Sequence, residues 1–259
     1  MDTSKELSTN RPLNVISFCS GYGGIERGLD LAGTDHRVLA YVEIEAFAIA
    51  NLANKMESGE LDAAPIYTDL KTFPAHLFRG CVDLLTAGYP CQPFSASGSR
   101  KGEEDPRHLW PYIREHINAI RPTQCFFENV EGHISLGLSS VLSDLEEDGY
   151  STTWSIFSAS EVGAPHQRKR VYILADTIGA RTEVGISRSI RSDQEGISGK
   201  PVDRGGEQRG WQNGMSWSIE PNVGRVVDGC ADRVDRIRML GNGVVPQTAA
   251  KAWRTLNER

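Results

Sequence analysis

No stretch of this 259-residue chain approaches the roughly 20 consecutive apolar residues that a membrane-crossing helix needs. The opening MDTSKELSTNR lacks the apolar core of a secretory signal, so the sequence reads as cytoplasmic, with no membrane partner. Cysteine is scarce, and Cys19, Cys81, Cys91, Cys125 and Cys230 share no paired spacing. An odd, scattered set argues against a disulfide framework and against a zinc module, so no metal is expected. Internal repeats at periods of 20–50 residues are also missing, which removes solenoids and propellers. Nor is there an excess of basic charge, the formal net charge being −6.

What is present is an ordinary globular composition, 39% hydrophobic and 8% aromatic, too apolar for a disordered chain. The length suits one large domain, or one large and one small. The acidic total hides an asymmetry. Residues 1–163 hold 12 Lys+Arg against 23 Asp+Glu, whereas residues 164–259 hold 16 against 11. An acidic front with a basic back is compatible with a nucleic-acid partner, because phosphate contacts are local.

Residues 1–12 read as a disordered leader. From residue 13 to 175, short β-branched runs alternate with amphipathic segments, which predicts an α/β fold with a doubly wound, largely parallel sheet. NVISFC, RVLAYVEI, VDLLTAG, CFFENV, TTWSIFSAS and RVYILA read as strands. Helices are expected from Ile25 to Ala32, over EAFAIANLANK, over HLWPYIREHINAI (started or interrupted near Pro111) and over SSVLSDLEEDG. Residues 176–232 are rich in Gly, Ser, Arg and Asp with almost no apolar periodicity, so they read as a small loop-built region or a linker. Residues 233–259 bring the chain back, with a terminal helix from Gln247 onward.

A Gly-rich turn after the first strand, SGYGG, points to a nucleotide-type ligand at the carboxyl edge of the sheet. Gly21, Gly23 and Gly24 let a ligand approach the backbone. Glu26 occupies the third glycine position of a dinucleotide fingerprint, which disfavours a pyrophosphate ligand. Glu43, 20 residues after Gly23, suits ribose hydroxyls, and Asp69 suits an adenine amino group. The bland alternative for these residues is a tight turn and helix caps.

The segment DLLTAGYPCQPFSASGSRKGEEDPR carries the sharpest chemical signal. Cys91 follows a buried strand closely and is flanked by Pro90 and Pro93, which stiffen the backbone on both sides. A cysteine displayed on a rigid turn at a sheet edge is a nucleophile candidate, whereas Cys125 within a strand reads as structural. Glu128 ends the next strand, where a carboxylate is costly unless it is used or capped. Arg168 and Arg170, at i and i+2 in HQRKR, are expected to face the same side of the entering strand. The bland reading of each is a solvated charge or a local salt bridge.

Taken in order, SGYGG, VEIE, TDL, GYPCQPFSASG, ENV, HQRKR and LGNGVVPQ resemble the cytosine-5 DNA methyltransferases, over most of residues 14–175 and 237–257. The resemblance implies a Rossmann-like fold dependent on S-adenosyl-L-methionine. It also implies methyl transfer to carbon 5 of a flipped-out cytosine in double-stranded DNA, through a covalent cysteine adduct. Residue by residue, it makes Cys91 the nucleophile, Glu128 the group that stabilises the activated ring, and Arg168, with Arg170, the cations that hold base and carboxylate. Gly21, Tyr22, Gly23, Gly24, Glu43, Ile44, Asp69, Leu70, Pro90, Asn242 and Val244 match the cofactor pocket. Residues 91–107 match a mobile loop. Ser95, Ser97 and Arg107 from that loop, and Arg188 and Arg191 from residues 176–232, are placed against DNA. The terminal helix is expected to pack beside the first strand.

There are departures. Cys19 stands where the family usually has an aromatic residue, and His166 aligns with the Gln that often opens the arginine motif. The same chemistry on RNA, a catalytically silent DNA-binding protein and, disfavoured by Glu26, a nicotinamide dehydrogenase are the competing readings. The implied setting is a monomer in a bacterial cell, with the gene of bacterial or phage origin, and with a cognate restriction endonuclease or none. A recognition region this small leads us to expect a short or relaxed target site.

Overall fold

The computed structural model describes residues 11–90, 109–177 and 243–258. Seven strands form one sheet: β1 (Leu13–Phe18), β2 (His36–Val42), β3 (Ile66–Tyr67), β4 (Leu84–Ala87), β5 (Gln124–Val130), β6 (Tyr150–Ser158) and β7 (Lys169–Thr177). Among the described residues, six α-helices accompany them: α1 (Gly24–Ala32), α2 (Ala46–Glu57), α3 (Trp110–Ile120), α4 (His133–Leu136), α5 (Leu138–Glu147) and α6 (Pro246–Asn257). None is long and apolar enough to cross a membrane.

The strand order is β3-β2-β1-β4-β5-β7-β6. Neighbours from β3 through β5 are parallel, and β7 runs antiparallel to both β5 and β6. The sheet is thus doubly wound, as the strand–helix alternation predicts, with β7 as the one reversed strand. The ten-residue link from β6 to β7 carries only a short 3-10 turn and a loop, so the chain doubles back instead of crossing over.

Each central strand is buried on both faces, which is why these segments read as continuous apolar runs. On one face, Ile16, Phe18, Leu85, Phe127 and Ile173 meet Ile113 and Ile117 of α3 and Val141 and Leu145 of α5. On the other, Val15, Leu84, Phe126, Tyr172 and Leu174 meet Ile25 and Leu29 of α1, Leu52 of α2 and Ala252, Trp253 and Leu256 of α6. Gly33 ends α1 in the left-handed region, φ 76°, its N–H satisfying the last-turn carbonyls. Pro111 lies in the first turn of α3, where its missing N–H costs nothing, so it starts the helix and does not interrupt it.

Two expectations are corrected. The main partner of α6 is α1, not the first strand: a Cβ added at Gly28 would stand 2.6 Å from the Ala249 methyl. The leader expected over residues 1–12 does not reach Arg11, whose guanidinium bonds Asp83 with both nitrogens, at 2.6 and 2.8 Å; residues 1–10 lie outside the described residues. The region expected over residues 176–232 lies, beyond Thr177, outside the described residues.

Parallel order reverses at β1, which has β2 on one side and β4 on the other. In open α/β sheets a crevice opens at the carboxyl ends of the strands at such a point. The turns after β1, β2, β3, β4 and β5 all converge there.

Candidate active site

The turn after β1 is built on backbone that most side chains avoid. Cys19, Gly21 and Gly23 all have positive φ, at 49°, 55° and 77°. Gly23 N–H donates to the Ser20 carbonyl at 2.9 Å, and Gly21 N–H donates to Glu43 Oε2 at 2.7 Å. The other Glu43 oxygen accepts from Glu45 N–H at 2.9 Å. This carboxylate at the end of β2 therefore fixes the glycine turn and, with about four lone-pair sites, retains capacity for ligand hydroxyls. Among the described residues, space in front of Gly21 is open, since a Cβ there would meet none of their atoms within 4 Å. Ile44, next to Glu43, is the most exposed large apolar side chain described, at 73%.

Asp69 accepts from Lys71 N–H at 2.9 Å and so caps a 3-10 turn, Leu70–Thr72. His116 of α3 holds the Leu70 carbonyl from behind at 2.6 Å. Buried Glu26, in the first turn of α1, accepts from the Thr86 hydroxyl at 2.7 Å. A carboxylate at that helix N-terminus repels phosphate, where a glycine would admit it. Two carboxylates, an exposed aliphatic side chain and an open glycine turn without an anion site fit a nucleoside bearing positive charge, as S-adenosyl-L-methionine does. They do not fit a dinucleotide.

On the neighbouring strand β5, Glu128 is only 6% exposed. Burial pushes its carboxyl up to about 7, against the lowering pull of Arg170 and Arg168. Arg170 Nε lies 2.9 Å from Glu128 Oε1. The register explains the contact: Glu128 pairs with Tyr172 and Val130 with Arg170, so Arg170 is a diagonal neighbour on the same face. Arg168 stands outside β7, with φ 34°, and its guanidinium donates to the Gly243 carbonyl at 2.5 Å. The strict alternation expected for the two arginines thus begins one residue too early, and the ion pair to Glu128 that the geometry displays is that of Arg170.

Gly88, just past β4, shows how closely these parts meet. A Cβ there would stand 3.6 Å from Val244 Cγ2, 3.7 Å from Glu128 Oε2 and 3.8 Å from the Cys19 carbonyl. Pro90, two residues on, is exposed at the same edge. Gly24 faces Val244 directly, its hypothetical Cβ only 2.6 Å from the Val244 carbonyl. The structure therefore brings together Gly21, Tyr22, Gly23, Gly24, Glu43, Ile44, Asp69, Leu70, Pro90, Glu128, Arg168, Arg170 and Val244 at one sheet edge. Cys91, Ser95, Ser97, Arg107, Arg188, Arg191 and Asn242 lie outside the described residues.

Asn129 was missed, although it adjoins Glu128 in ENV. Its side chain donates to the Tyr89 carbonyl at 3.1 Å and accepts from Val130 N–H at 2.8 Å, tying β5 to the turn that leads to Cys91. Tyr89 packs edge-on against Phe127 and against buried His133. His116 had no sequence signal, because its role depends on where α3 lies. Two of the described cysteines, Cys19 and Cys125, are poor thiolate sources. Burial, then Glu43, pushes the Cys19 thiol up to about 12, and burial, then Asp176, pushes Cys125 higher still.

The family model for C-5 cytosine-specific DNA methylases matches residues 13–200. Among curated relatives, the type II methyltransferase M.NgoBV of Neisseria gonorrhoeae is 38% identical over 213 residues, covering 74% of this chain and 48% of its own. M.NaeI of Lentzea aerocolonigenes is 32% identical over 167 residues, covering 63% of this chain and 40% of its own. The chain thus spans about half the length, or less, of such relatives. Among solved structures, Schizosaccharomyces pombe Dnmt2 methyltransferase superposes with a TM-score of 0.53 at 28% identity, covering 64% of this chain and 51% of that one. With the family match spanning the whole of the described sheet, the chain belongs to the C-5 cytosine-specific DNA methylase family.

Proposed function

We propose that this chain transfers the methyl group of S-adenosyl-L-methionine to carbon 5 of cytosine in double-stranded DNA. The observation that carries the reading is Glu128, a buried carboxyl pushed up to about 7, on the same sheet edge as an open glycine turn with two flanking carboxylates. A carboxylic acid kept partly neutral near pH 7 can donate a proton where a solvated one cannot. Glu43 and Asp69 would hold the ribose and adenine, with Gly21 giving the backbone approach and Ile44 and Leu70 the apolar contacts. Bound there, S-adenosyl-L-methionine supplies an electrophilic methyl group.

Carbon 5 of cytosine is a weak nucleophile. In this reading the Cys91 thiolate adds to carbon 6, forming the S–C6 bond, while Glu128 donates its proton to ring nitrogen 3. The electron pair of the C5–C6 double bond becomes available at carbon 5, which takes the methyl group. The electron pair of the broken S–CH3 bond would stay on the donor's sulfur, which leaves as a neutral thioether. Loss of the carbon 5 proton to a base, cleavage of the S–C6 bond and return of the nitrogen 3 proton to Glu128 then restore the aromatic ring, the thiolate and the acid. Arg170 holds Glu128 in place, and Arg168 contributes positive charge beside it. Ser95, Ser97, Arg107, Arg188 and Arg191 would contact DNA, with residues 176–232 reading the sequence, in a monomer that acts with or without a cognate restriction endonuclease.

The test is to incubate purified protein and methyl donor with DNA of varied sequence, and separately with RNA, and to measure 5-methylcytosine by mass spectrometry. Methylated DNA is expected, with bisulfite sequencing defining a short site. Methylation confined to RNA, or none on either, overturns the proposal.

A further inference from the structure

Tyr22 sits in the middle of the glycine turn, but its side chain is committed elsewhere. The phenol donates to the Val244 carbonyl, in the first stretch of described chain after residues 178–242. Burial keeps the hydroxyl protonated, its pKa pushed up to about 12, with Arg168 lowering it and Glu128 raising it. The ring lies so close to Gly243 that a Cβ on that glycine would stand 1.8 Å from Tyr22 Cε1, so no residue but glycine fits beneath it. Lys55 of α2 fixes Tyr22 from the other side: its Nζ donates to the Tyr22 carbonyl at 2.8 Å and lies 4.8 Å from the ring centroid. The carbonyl next to Val244, that of Gly243, accepts from Arg168. Two successive carbonyls at the chain's return are therefore gripped by two side chains, Tyr22 from the donor turn and Arg168 from just before β7.

We infer that Tyr22 is a positioning residue that couples occupancy of the donor turn to the placement of Gly243–Val244. The inference rests on the donor reading above. Its logic is mechanical. Gly21 and Gly23, with φ of 55° and 77°, give the turn a conformation in which the Gly21 N–H is held by Glu43 and the Gly23 N–H by Ser20. A ligand that draws on Glu43 steadies Gly21, and Tyr22 is the next residue. A stiffened turn fixes the phenol, and the phenol fixes the Val244 carbonyl.

Hydrogen exchange followed by mass spectrometry tests this on the intact chain, with S-adenosylhomocysteine as the probe. In the wild type the probe is expected to slow exchange over residues 20–27 and also over 243–250, the latter by about fivefold or more. Tyr22→Phe keeps the ring and loses only the hydroxyl. It should retain the slowing over 20–27 and lose it over 243–250. A second variant, Gly243→Ala, drives a methyl into the ring, and should lose the probe's effect over 243–250 with the phenol still present. Full slowing over 243–250 in Tyr22→Phe overturns the coupling alone. No slowing over 20–27 in the wild type overturns the donor reading and the coupling with it.

Discussion

Arg170 Nε and Glu128 Oε1 stand 2.9 Å apart across two antiparallel strands, two residues out of direct register and so on the same face. The pair is nearly closed to solvent on both sides, with side chains 16% and 7% exposed. Burial favours the neutral acid and the arginine favours the anion, and the balance leaves the carboxyl at about 7. Removing the arginine removes part of the lowering pull. For Arg170→Gln, the alkaline limb of the kcat/KM profile for methyl transfer is expected to move to higher pH than in the wild type. Glu128→Gln cannot supply the proton and should lower kcat by about a hundredfold or more. An unmoved limb in Arg170→Gln would separate this arginine from the acid.

The same carboxyl makes stability depend on pH, and the sign follows from the direction of the shift. Its folded pKa is raised from 4.5 to about 7. Glu128 therefore contributes stability that is fully present below about 4.5 and is lost as pH rises through about 7. The loss across that window is about 3 kcal/mol at one pH unit per 1.4 kcal/mol. Glu128→Gln has no such proton to release. Urea unfolding at pH 5 and at pH 8 should show a smaller difference between the two pH values in the variant than in the wild type. Equal differences would mean that the carboxyl titrates normally.

Much of this layout was readable from the residues, for reasons that also mark where reading fails. β1, β4 and β5 are buried on both faces, so they appear as apolar runs, and Gly33 marks the end of α1 because a left-handed cap there favours glycine. Glu43 and Glu128 were visible because a carboxylate at the end of a buried strand demands a purpose. The contact of Arg170 with Glu128 was not visible, because strand register is a property of two distant segments. The reversal of β7 was hidden for the same reason: a strand's own sequence does not state its direction. His116 and Asn129 hold backbone carbonyls of other elements, and no periodicity announces such a role.

Gly28 offers a test of the helix pairing that replaced the expected contact with the first strand. An alanine there gains about 1 kcal/mol in helix propensity. Its Cβ would stand 2.6 Å from the Ala249 methyl and 3.0 Å from the Pro246 carbonyl, neither of which is the end of a flexible side chain. Overpacking of that kind costs about 1–3 kcal/mol, so the clash outweighs the propensity. Gly28→Ala is expected to lower Tm, and Ala249→Gly in that background to restore part of the loss. A stabilised Gly28→Ala would show that α1 and α6 do not meet at this point.

Thiol chemistry separates the nucleophile from the bystanders. Cys19 and Cys125 carry thiols raised by burial, whereas Cys81 is exposed. Since the thiolate is the reactive form, a mild alkylating reagent at pH 8 should label Cys81 in the native protein and spare Cys19 and Cys125 until it is unfolded. Peptide mapping after brief exposure reads this directly. Cys81 lies in the approach to β4, remote from the sheet edge where Glu128 stands, so Cys81→Ser should methylate DNA at the wild-type rate. Cys91→Ser should form no product, because a serine hydroxyl ionises too weakly to add to carbon 6. If Cys91→Ser retains activity while Cys81→Ser loses it, the attacking group has been misassigned.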